Sequence, residues 1–358
     1  MYFNLHTGTS RDIFSFNDSK NSPFIQILSN LLSALIPRNL LSLVPAIICG
    51  CSGVSVIEDP VSVNNLSFSK VMTDWVSEDT PLDIFAFVND KFKRLDSYQR
   101  IDGFSGTNAA IASTGGNKIF FLCMNSQHEK YSWADIQSYS SLKNVFVELE
   151  KEESQAIACS GEIVDIAGKT TSDIRLQPLA SEVVLRTIRC DFVGTPYSGE
   201  EIRDVKVYLT NVSATCPIVY DESFRPIRFI NCGMLNMADL RDFKSPEVIV
   251  RDIVDPITDD ISHLDISLLC YPNRFIKDNL GSPQTRLVIE GTVESMTYYW
   301  PITINPEVGI DRGCRYVFDL LIRRKGCTDP DIAFDPLSIE IDMKINPWIE
   351  KENYTVGF

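Results

Sequence analysis

The chain has 358 residues, a net charge of −15 and 44% hydrophobic residues, so it contains enough apolar material for the cores of two ordinary domains. The acidic balance argues against nucleic acid as a partner, because a phosphate backbone requires clustered Lys and Arg. Only three histidines are present, so a histidine-based metal site or triad is hard to build. We also expect no cofactor.

The first distinctive segment is a short apolar run that begins after Arg38 and ends at Gly50 and Cys51. This layout is typical of a bacterial secretion signal that ends at a lipidated cysteine. The run is shorter than the ~20 residues of a transmembrane helix. We therefore expect residues 1–50 to be a removed leader, Cys51 to be the acylated N-terminus, and residues 51–74 to be a lipid-linked segment. The alternatives are an uncleaved membrane anchor and a buried helix.

The remainder of the chain consists of short apolar or alternating segments separated by turns, a pattern that favours strands. Strands are predicted at residues 82–88, 118–124, 181–192, 202–212, 285–304 (two strands joined near Glu294), 315–323 and 337–345. The last segment alternates most regularly, so we expect one of its faces to be buried and the other solvated. Its apolar positions are Leu337, Ile339, Ile341, Met343 and Ile345.

Helical signal is sparse. Residues 132–151 give the best helix prediction, with Ser132 as candidate N-cap. A short polar bridge around Pro178, residues 169–181, resembles a linker. We therefore predict a mostly β protein with two β-sandwich domains in tandem, at residues 75–175 and 176–358.

The cysteines after Cys51 form no C-x-x-C pair, which argues against zinc-ribbon and thioredoxin chemistry. Several lie inside apolar, strand-like runs, so we interpret them as small buried hydrophobes rather than a disulfide framework. An exported protein can still pair some of them. They are Cys123, Cys159, Cys190, Cys216, Cys232, Cys270, Cys314 and Cys327.

Two acidic groups are the candidates for calcium ligands, because calcium needs several converging oxygens. The EF-type spacing with its central glycine is absent, so both groups are interpreted as solvated loop carboxylates. No arrangement typical of a catalytic acid–base pair or nucleophile is present either, and we predict neither a metal site nor an enzyme. The acidic groups are Asp255, Asp259 and Asp260, and Asp329, Asp331 and Asp335.

Several strand and turn segments occur in an order and spacing that are together moderately specific. They are IFAFV at 84–88, KIFFL at 118–122, WADI at 133–136, YYWPI at 298–302, GCTDP at 326–330 and NPW at 346–348. On these segments the chain resembles the fimbrillin family, which comprises type V pilus subunits and their lipoprotein anchors. The resemblance implies two transthyretin-like β-sandwich domains, no enzymatic activity, and other fimbrial subunits as partners. It also implies a surface-exposed location on the cell outer membrane, held there by the lipid at Cys51.

The resemblance further implies assembly by strand exchange, in which a neighbour's C-terminal strand fills an apolar groove, a form of β-augmentation. Near the C-terminus, Tyr354, Val356 and Phe358 alternate with small or polar residues, as a donor strand requires. The alternative is an ordinary edge strand of the last sheet.

In shaft subunits of that family, an Arg-specific protease removes an N-terminal strand and so opens the groove. Between Cys51 and Asp90 this chain has one basic residue, Lys70, and no arginine. The first arginine, Arg94, follows the first predicted core strand, so a cut there would remove part of the sheet core. This position favours a subunit that keeps its lipid, either an anchor or an accessory subunit, although Lys70 offers a second cleavage point.

A surface lipoprotein that binds glycans is the alternative function. Such a protein needs exposed aromatic platforms, for which Trp75, Trp300 and Trp348 are the candidates. Burial of these side chains would remove that chemistry.

Overall fold

The computed structural model describes residues 61–70, 80–104, 106–127, 133–153, 156–165, 173–277, 281–332 and 339–347. These residues all belong to one compact unit, Asp59–Phe358, and their structure is mostly β, as predicted. None of the described helices is long and apolar enough to cross a membrane. The predicted tandem of transthyretin-like domains, with its boundary after residue 175, stays a prediction.

The described part of the chain forms a long series of strands. In chain order they are β1 (Val61–Lys70), β2 (Leu82–Val88), β3 (Leu95–Ile101), β4 (Asn108–Thr114), β5 (Lys118–Met124), β6 (Phe146–Glu148), β7 (Cys159–Asp165), β8 (Asp173–Pro178), β9 (Ser181–Cys190), β10 (Arg203–Thr210), β11 (Val212–Ser213), β12 (Thr215–Pro217), β13 (Phe229–Ile230), β14 (Val250–Ile253), β15 (Ser262–Cys270), β16 (Arg286–Val293), β17 (Met296–Thr303), β18 (Cys314–Ile322) and β19 (Ile339–Pro347).

The larger sheets divide by position in the chain. One seven-stranded sheet has the order β3-β2-β5-β7-β8-β1-β4, and two four-stranded sheets have the orders β14-β10-β16-β17 and β15-β9-β18-β19. The short strands β6 and β12 pair with each other and so join the first part of the chain to the second.

Two apolar clusters fill the interior. One lies on a single face of the seven-stranded sheet and includes Ile84, Phe120 and Leu122. The other includes Phe85 and Phe121 from the same central strands, and continues through the two four-stranded sheets. Strands β2 and β5 are therefore buried on both faces, which explains why their sequences are almost continuously apolar.

Five of the described cysteines are buried, as expected for small hydrophobes. The buried ones are Cys123, Cys159, Cys190, Cys216 and Cys270.

The two ends of the seven-stranded sheet are joined by side chains. The Asp96 carboxylate of β3 accepts hydrogen bonds from Thr114 of β4, at 2.8 Å from the backbone nitrogen and 2.7 Å from Oγ1. Lys118, which is buried, lies 3.2 Å from the same carboxylate. Burial raises the pKa of Asp96, but the Thr114 hydrogen bonds and the Lys118 charge outweigh it, so the pKa is lowered overall.

The predicted helix at residues 132–151 is wrong. A 3₁₀ turn (Trp133–Asp135) is followed by a four-residue helix, α1 (Tyr139–Leu142), then β6 and a second 3₁₀ turn (Leu149–Lys151). Ser138, not Ser132, caps α1, because its Oγ accepts from the Ser141 backbone nitrogen at 3.2 Å. The run from Val145 to Val147 is β-branched and aromatic, and β6 forms there because β12 supplies a partner strand.

The predicted linker at residues 169–181 is also wrong over its described part. Residues Asp173–Pro178 form β8, which pairs with β7 and β1. Leu179 and Ala180 that follow are fully buried. Pro178 is compatible with a strand here because it is the last residue of β8.

The regular alternation of residues 337–345 correctly predicted the strand β19. The predicted burial of its apolar face is only partly correct. Ile339 is buried and Met343 is half-buried, whereas Ile341 and Ile345 are 41% and 44% exposed. The reason is position, because among the described residues β19 is the outermost strand of its sheet and has a neighbour on one side.

A buried arginine ties the early strands to the late ones. The Arg312 guanidinium donates hydrogen bonds to the backbone oxygens of Pro178 (3.1 Å), Ser160 (2.6 Å) and Gln177 (2.8 Å). It also donates to the Ser160 Oγ at 3.1 Å. Among the described residues no carboxylate pairs with it, and burial lowers its pKa. The charge is therefore held by carbonyl dipoles at the point where β7 and β8 meet.

A buried carboxyl lies in the same junction. Glu152 is 1% exposed, accepts from the Tyr271 hydroxyl at 2.6 Å and from the Ala158 backbone nitrogen at 3.1 Å. Burial raises its pKa to about 7, despite these two donors.

This shift predicts a pH dependence of stability. The raised pKa means that the folded chain holds a proton that the unfolded chain releases, so this contribution is present below pH about 4.5 and lost as the pH rises through about 7. We expect wild type to lose about 3 kcal/mol across this window relative to Glu152→Gln, which cannot ionise. Urea unfolding of both proteins at several pH values measures the difference. A constant difference across the window would contradict the prediction.

Candidate functional site

The first strand occupies an unusual place in the seven-stranded sheet. It pairs antiparallel with β4 from Val61 opposite Thr114 to Ser67 opposite Asn108. At its other end it pairs parallel with β8, from Ser67 opposite Asp173 to Lys70 opposite Leu176. The backbone of β1 is therefore held on both sides, mainly by β4 in its first half and by β8 in its second. We call the space between β4 and β8 the β1 seat.

The β1 seat is apolar at its centre. Leu66 is 7% exposed and belongs to the same buried cluster as Ala109 and Ile111 of β4 and Ile174 and Leu176 of β8. The strand thus contributes one clearly buried apolar anchor, among its described side chains, to a pocket built by its two neighbours.

The rest of the described β1 side chains bury little. Val61 and Val63 are 73% and 66% exposed, and Asn65 is exposed as well. Asn64 faces inward, where its Nδ2 donates to the Ser113 Oγ at 2.7 Å. Backbone pairing, rather than side-chain burial, holds the first half of the strand.

Strand β4 depends on β1 for its place in the sheet. In the order of the sheet β4 is terminal, and β1 is the strand that pairs with it. Apart from β1, side-chain bonds between Thr114 and Asp96 connect it to β3. Withdrawal of β1 would expose the facing backbone edges of β4 and β8 and the pocket around Leu66, which together form an acceptor for another extended strand.

The two candidate cleavage points lie at different places relative to this seat. Lys70 is the last residue of β1. Arg94 comes after β2, whose residues Leu82–Phe87 are buried. A chain cut at Arg94 would lose a central strand that pairs with both β3 and β5, whereas a cut at Lys70 would separate β1 from the rest.

The residues predicted as sites from the sequence are not brought together in the described structure. Cys51, Tyr354, Val356 and Phe358 lie outside the described residues, as do Trp75 and Trp348. Trp300 is fully buried and its Nε1 donates to the Arg324 backbone oxygen at 3.0 Å, so it cannot serve as an exposed sugar platform. In the part of the chain that the structure describes, no group of three or more His, Cys, Asp or Glu is arranged to hold a metal ion.

The β1 seat itself was missed from the sequence, because the apolar pattern of β1 changes register. Val61 and Val63 occupy odd positions, whereas Leu66 and Phe68 occupy even ones. The pairing with β4 is continuous, so the valines face outward and Leu66 inward. The sequence signal that could have revealed β1 is therefore a pair of short alternating runs, the first with apolar residues at odd positions and the second with apolar residues at even positions.

No protein-family model and no curated protein matches the sequence. Several solved structures do match. A candidate cell adhesion protein from Bacteroides eggerthii is similar with 15% identity and a TM-score of 0.60, over 80% of this chain and 96% of that chain. A fimbrilin from Porphyromonas gingivalis is similar with 10% identity and a TM-score of 0.57, over 81% and 98%. The tip fimbrial protein Mfa3 of the same organism, truncated at its C-terminus, gives 13% and 0.50 over 81% and 100%.

The chain therefore has a β-rich fold of the class found in these adhesion and fimbrial proteins. More particularly, it has the fold of fimbrilin, and the resemblance to the fimbrillin family predicted from the sequence is confirmed at the level of the fold. Identities of this size establish the fold and leave function to be argued from the site.

The anchor role of Leu66 can be tested against a neighbour on the same strand. We expect Leu66→Ala to lower the free energy of unfolding by about 2–4 kcal/mol, because it opens a cavity in the buried cluster. Val63→Ala removes methyl groups from an exposed side chain and should change it by less than about 0.5 kcal/mol. Urea denaturation measures both. Equal effects of the two substitutions would contradict the assignment of Leu66 as the anchor of β1.

Proposed function

We propose that this chain is a structural, non-enzymatic subunit of a cell-surface fimbria, retained on the outer membrane by a lipid on Cys51. The observation that carries the proposal is likeness of fold over almost the whole length of a fimbrilin and of a tip fimbrial protein. The proposed partners are other fimbrial subunits, and the proposed assembly mode is strand exchange.

The β1 seat supports the strand-exchange part of the proposal. In a subunit from which β1 has been withdrawn, its two walls, β4 and β8, would present backbone edges, and its floor would contain apolar side chains such as Ile111 and Ile174. These are the elements that β-augmentation uses: main-chain hydrogen bonds for affinity and pockets for alternate side chains for specificity. The C-terminal residues Tyr354, Val356 and Phe358 have the matching alternation and are proposed to enter the seat of a neighbouring subunit.

The position of Arg94 after β2 supports the proposal that the subunit keeps its lipid. An Arg-specific cut there would remove β2, which is buried and central. Lys70 is the last residue of β1, and a cut after it would release β1 alone. We therefore favour an anchor or accessory subunit that keeps its N-terminal segment and its lipid over a shaft subunit.

Lipidation is tested directly by mass spectrometry of the mature N-terminus from native cells. We expect an acylated Cys51, and we expect Cys51→Ala to move the protein out of the membrane fraction. Cys49→Ala, two residues away, is the matched control and should stay with the membrane. An N-terminus that begins directly after Lys70 would instead indicate proteolytic activation and a shaft or tip role, and an intact Met1 would refute the lipoprotein assignment.

Strand donation is tested at the C-terminus. We expect Val356→Asp to abolish incorporation into fimbriae, because a charge would enter an apolar pocket. Thr355→Asp points to the other side of an extended strand and should be tolerated. Isolation of sheared fimbriae followed by immunoblotting for the chain measures incorporation. Equal loss, or equal retention, of both variants would contradict donation by this strand.

A further inference from the structure

The last described strand leaves one edge of its sheet open. β19 pairs with β18 along its whole length, from Ile339 opposite Ile322 to Pro347 opposite Cys314. Within the described residues, no strand pairs with its other edge. Alternate backbone N–H and C=O groups of a nine-residue strand therefore point away from β18, and such an edge is a template for pairing with another strand.

Another edge of the same half of the chain is bridged at one point. On β17, the backbone of Tyr299 exchanges two hydrogen bonds of 2.8 Å with the backbone of Cys327. Gly326 makes this approach possible, since a β-carbon there would collide with the Tyr299 backbone oxygen.

The exposed side chains of β19 are sorted by face. Ile341 and Ile345 are 41% and 44% exposed on the face that continues the core, and Met343 between them is half-buried. The opposite face carries the exposed charges Asp342 and Lys344. A strand that covers this edge must therefore carry apolar side chains on one face and complementary charges on the other.

We propose that two copies of this chain associate through β19, paired antiparallel about a two-fold axis at Met343. In this register, Asp342 of one copy lies opposite Lys344 of the second copy, and Ile341 lies opposite Ile345 of the second copy. Two-fold symmetry makes each of these pairs twice. The strand is therefore complementary to its own reverse, in charge on one face and in apolar character on the other.

The neighbouring registers are less favourable. If the two-fold axis passes through Asp342, the Asp342 carboxylates of the two copies lie opposite each other. If it passes through Lys344, the two Lys344 ammonium groups lie opposite each other. Like charges directly opposite destabilise a sheet. A shift of pairing by one residue turns every side chain of one strand to the other face and would bring charges against the isoleucines.

Local charges in one copy favour the same pairing. Asp342 lies directly opposite Asp319 of β18, a like-charge pair. Asp319 is held by a bidentate ion pair with Arg186. Asp342 forms a longer ion pair with Lys344 of its own strand, at 3.6 Å, and also lies in the field of Arg186. The Lys344 of a second copy would supply a directly opposed cation to Asp342.

Sedimentation of the full chain in detergent, over a wide range of concentration, tests the proposal. We expect a monomer–dimer equilibrium that Asp342→Lys or Lys344→Asp weakens about tenfold or more, since each replaces two attractive pairs by two repulsive ones. The double variant, with both substitutions, restores the opposite-charge pairs and should restore the dimer. Asp252→Lys, at an exposed position of edge strand β14, is the matched control and should leave the dimer intact.

Site-specific oxidation tests the register. In Met343→Cys the two introduced thiols meet at the axis, within reach of a disulfide, and a covalent dimer linked at this peptide is expected. In Glu340→Cys the two thiols lie roughly 20 Å apart along the strands, and no such dimer should form.

Three results would overturn the proposal. They are a monomer at every concentration, a dimer that persists unchanged in the single charge variants, and a double variant that fails to recover. Association through the lipid or through a foreign strand would be recognised by its insensitivity to the charge exchange.

Discussion

The position of the Arg312 guanidinium constrains much of the sheet architecture. A buried cation without a carboxylate among the described residues is costly unless other groups replace its hydration. The backbone oxygens of Ser160, Gln177 and Pro178 do so in this protein. These oxygens belong to residues of the regular ladder between β7 and β8, which consists of two residue pairs. Arg312 therefore stabilises a point where two strands meet only briefly, and it fastens that point to the loop before β18.

Strand β8 also determines the position of β1. In the sheet order β8 lies between β7 and β1, and it pairs with β1 over Asp173–Leu176. The β1 seat thus exists because β8 is a partner of both strands. Ile174 and Leu176 of β8 belong to the buried cluster that contains Leu66, so the groove proposed for strand exchange and the core of the sheet share the same side chains.

Sequence reasoning found the strands whose apolar side chains are continuous or regularly alternating, such as β2, β5 and β16–β18. It missed β3 and β4, whose segments LDSYQRI and NAAIAST are polar or small, because their pairing is decided by neighbours rather than by local pattern. It misread β8 as a linker because Pro178 is a turn signal in isolation. It misread residues 132–151 because the i, i+3 spacing of Trp133, Ile136, Tyr139 and Leu142 imitates a helix, whereas β6 requires knowledge of β12.

From the sequence, only the strand β1 of the candidate site could have been predicted, from its two alternating runs of opposite phase. The strands β4 and β8 that flank β1 come from segments far away in the sequence. β1 and β19 also differ in a way that separates their proposed roles. β1 is flanked on both sides, so another strand can take its place only by replacing it. In the described part of the chain β19 is flanked on one side, so another strand can be added there without displacement. Replacement suits a stable, directional linkage between subunits, whereas addition at an edge with few buried side chains suits a weaker and symmetric contact. A subunit that keeps β1 has its seat filled, whereas the edge of β19 stays available to it.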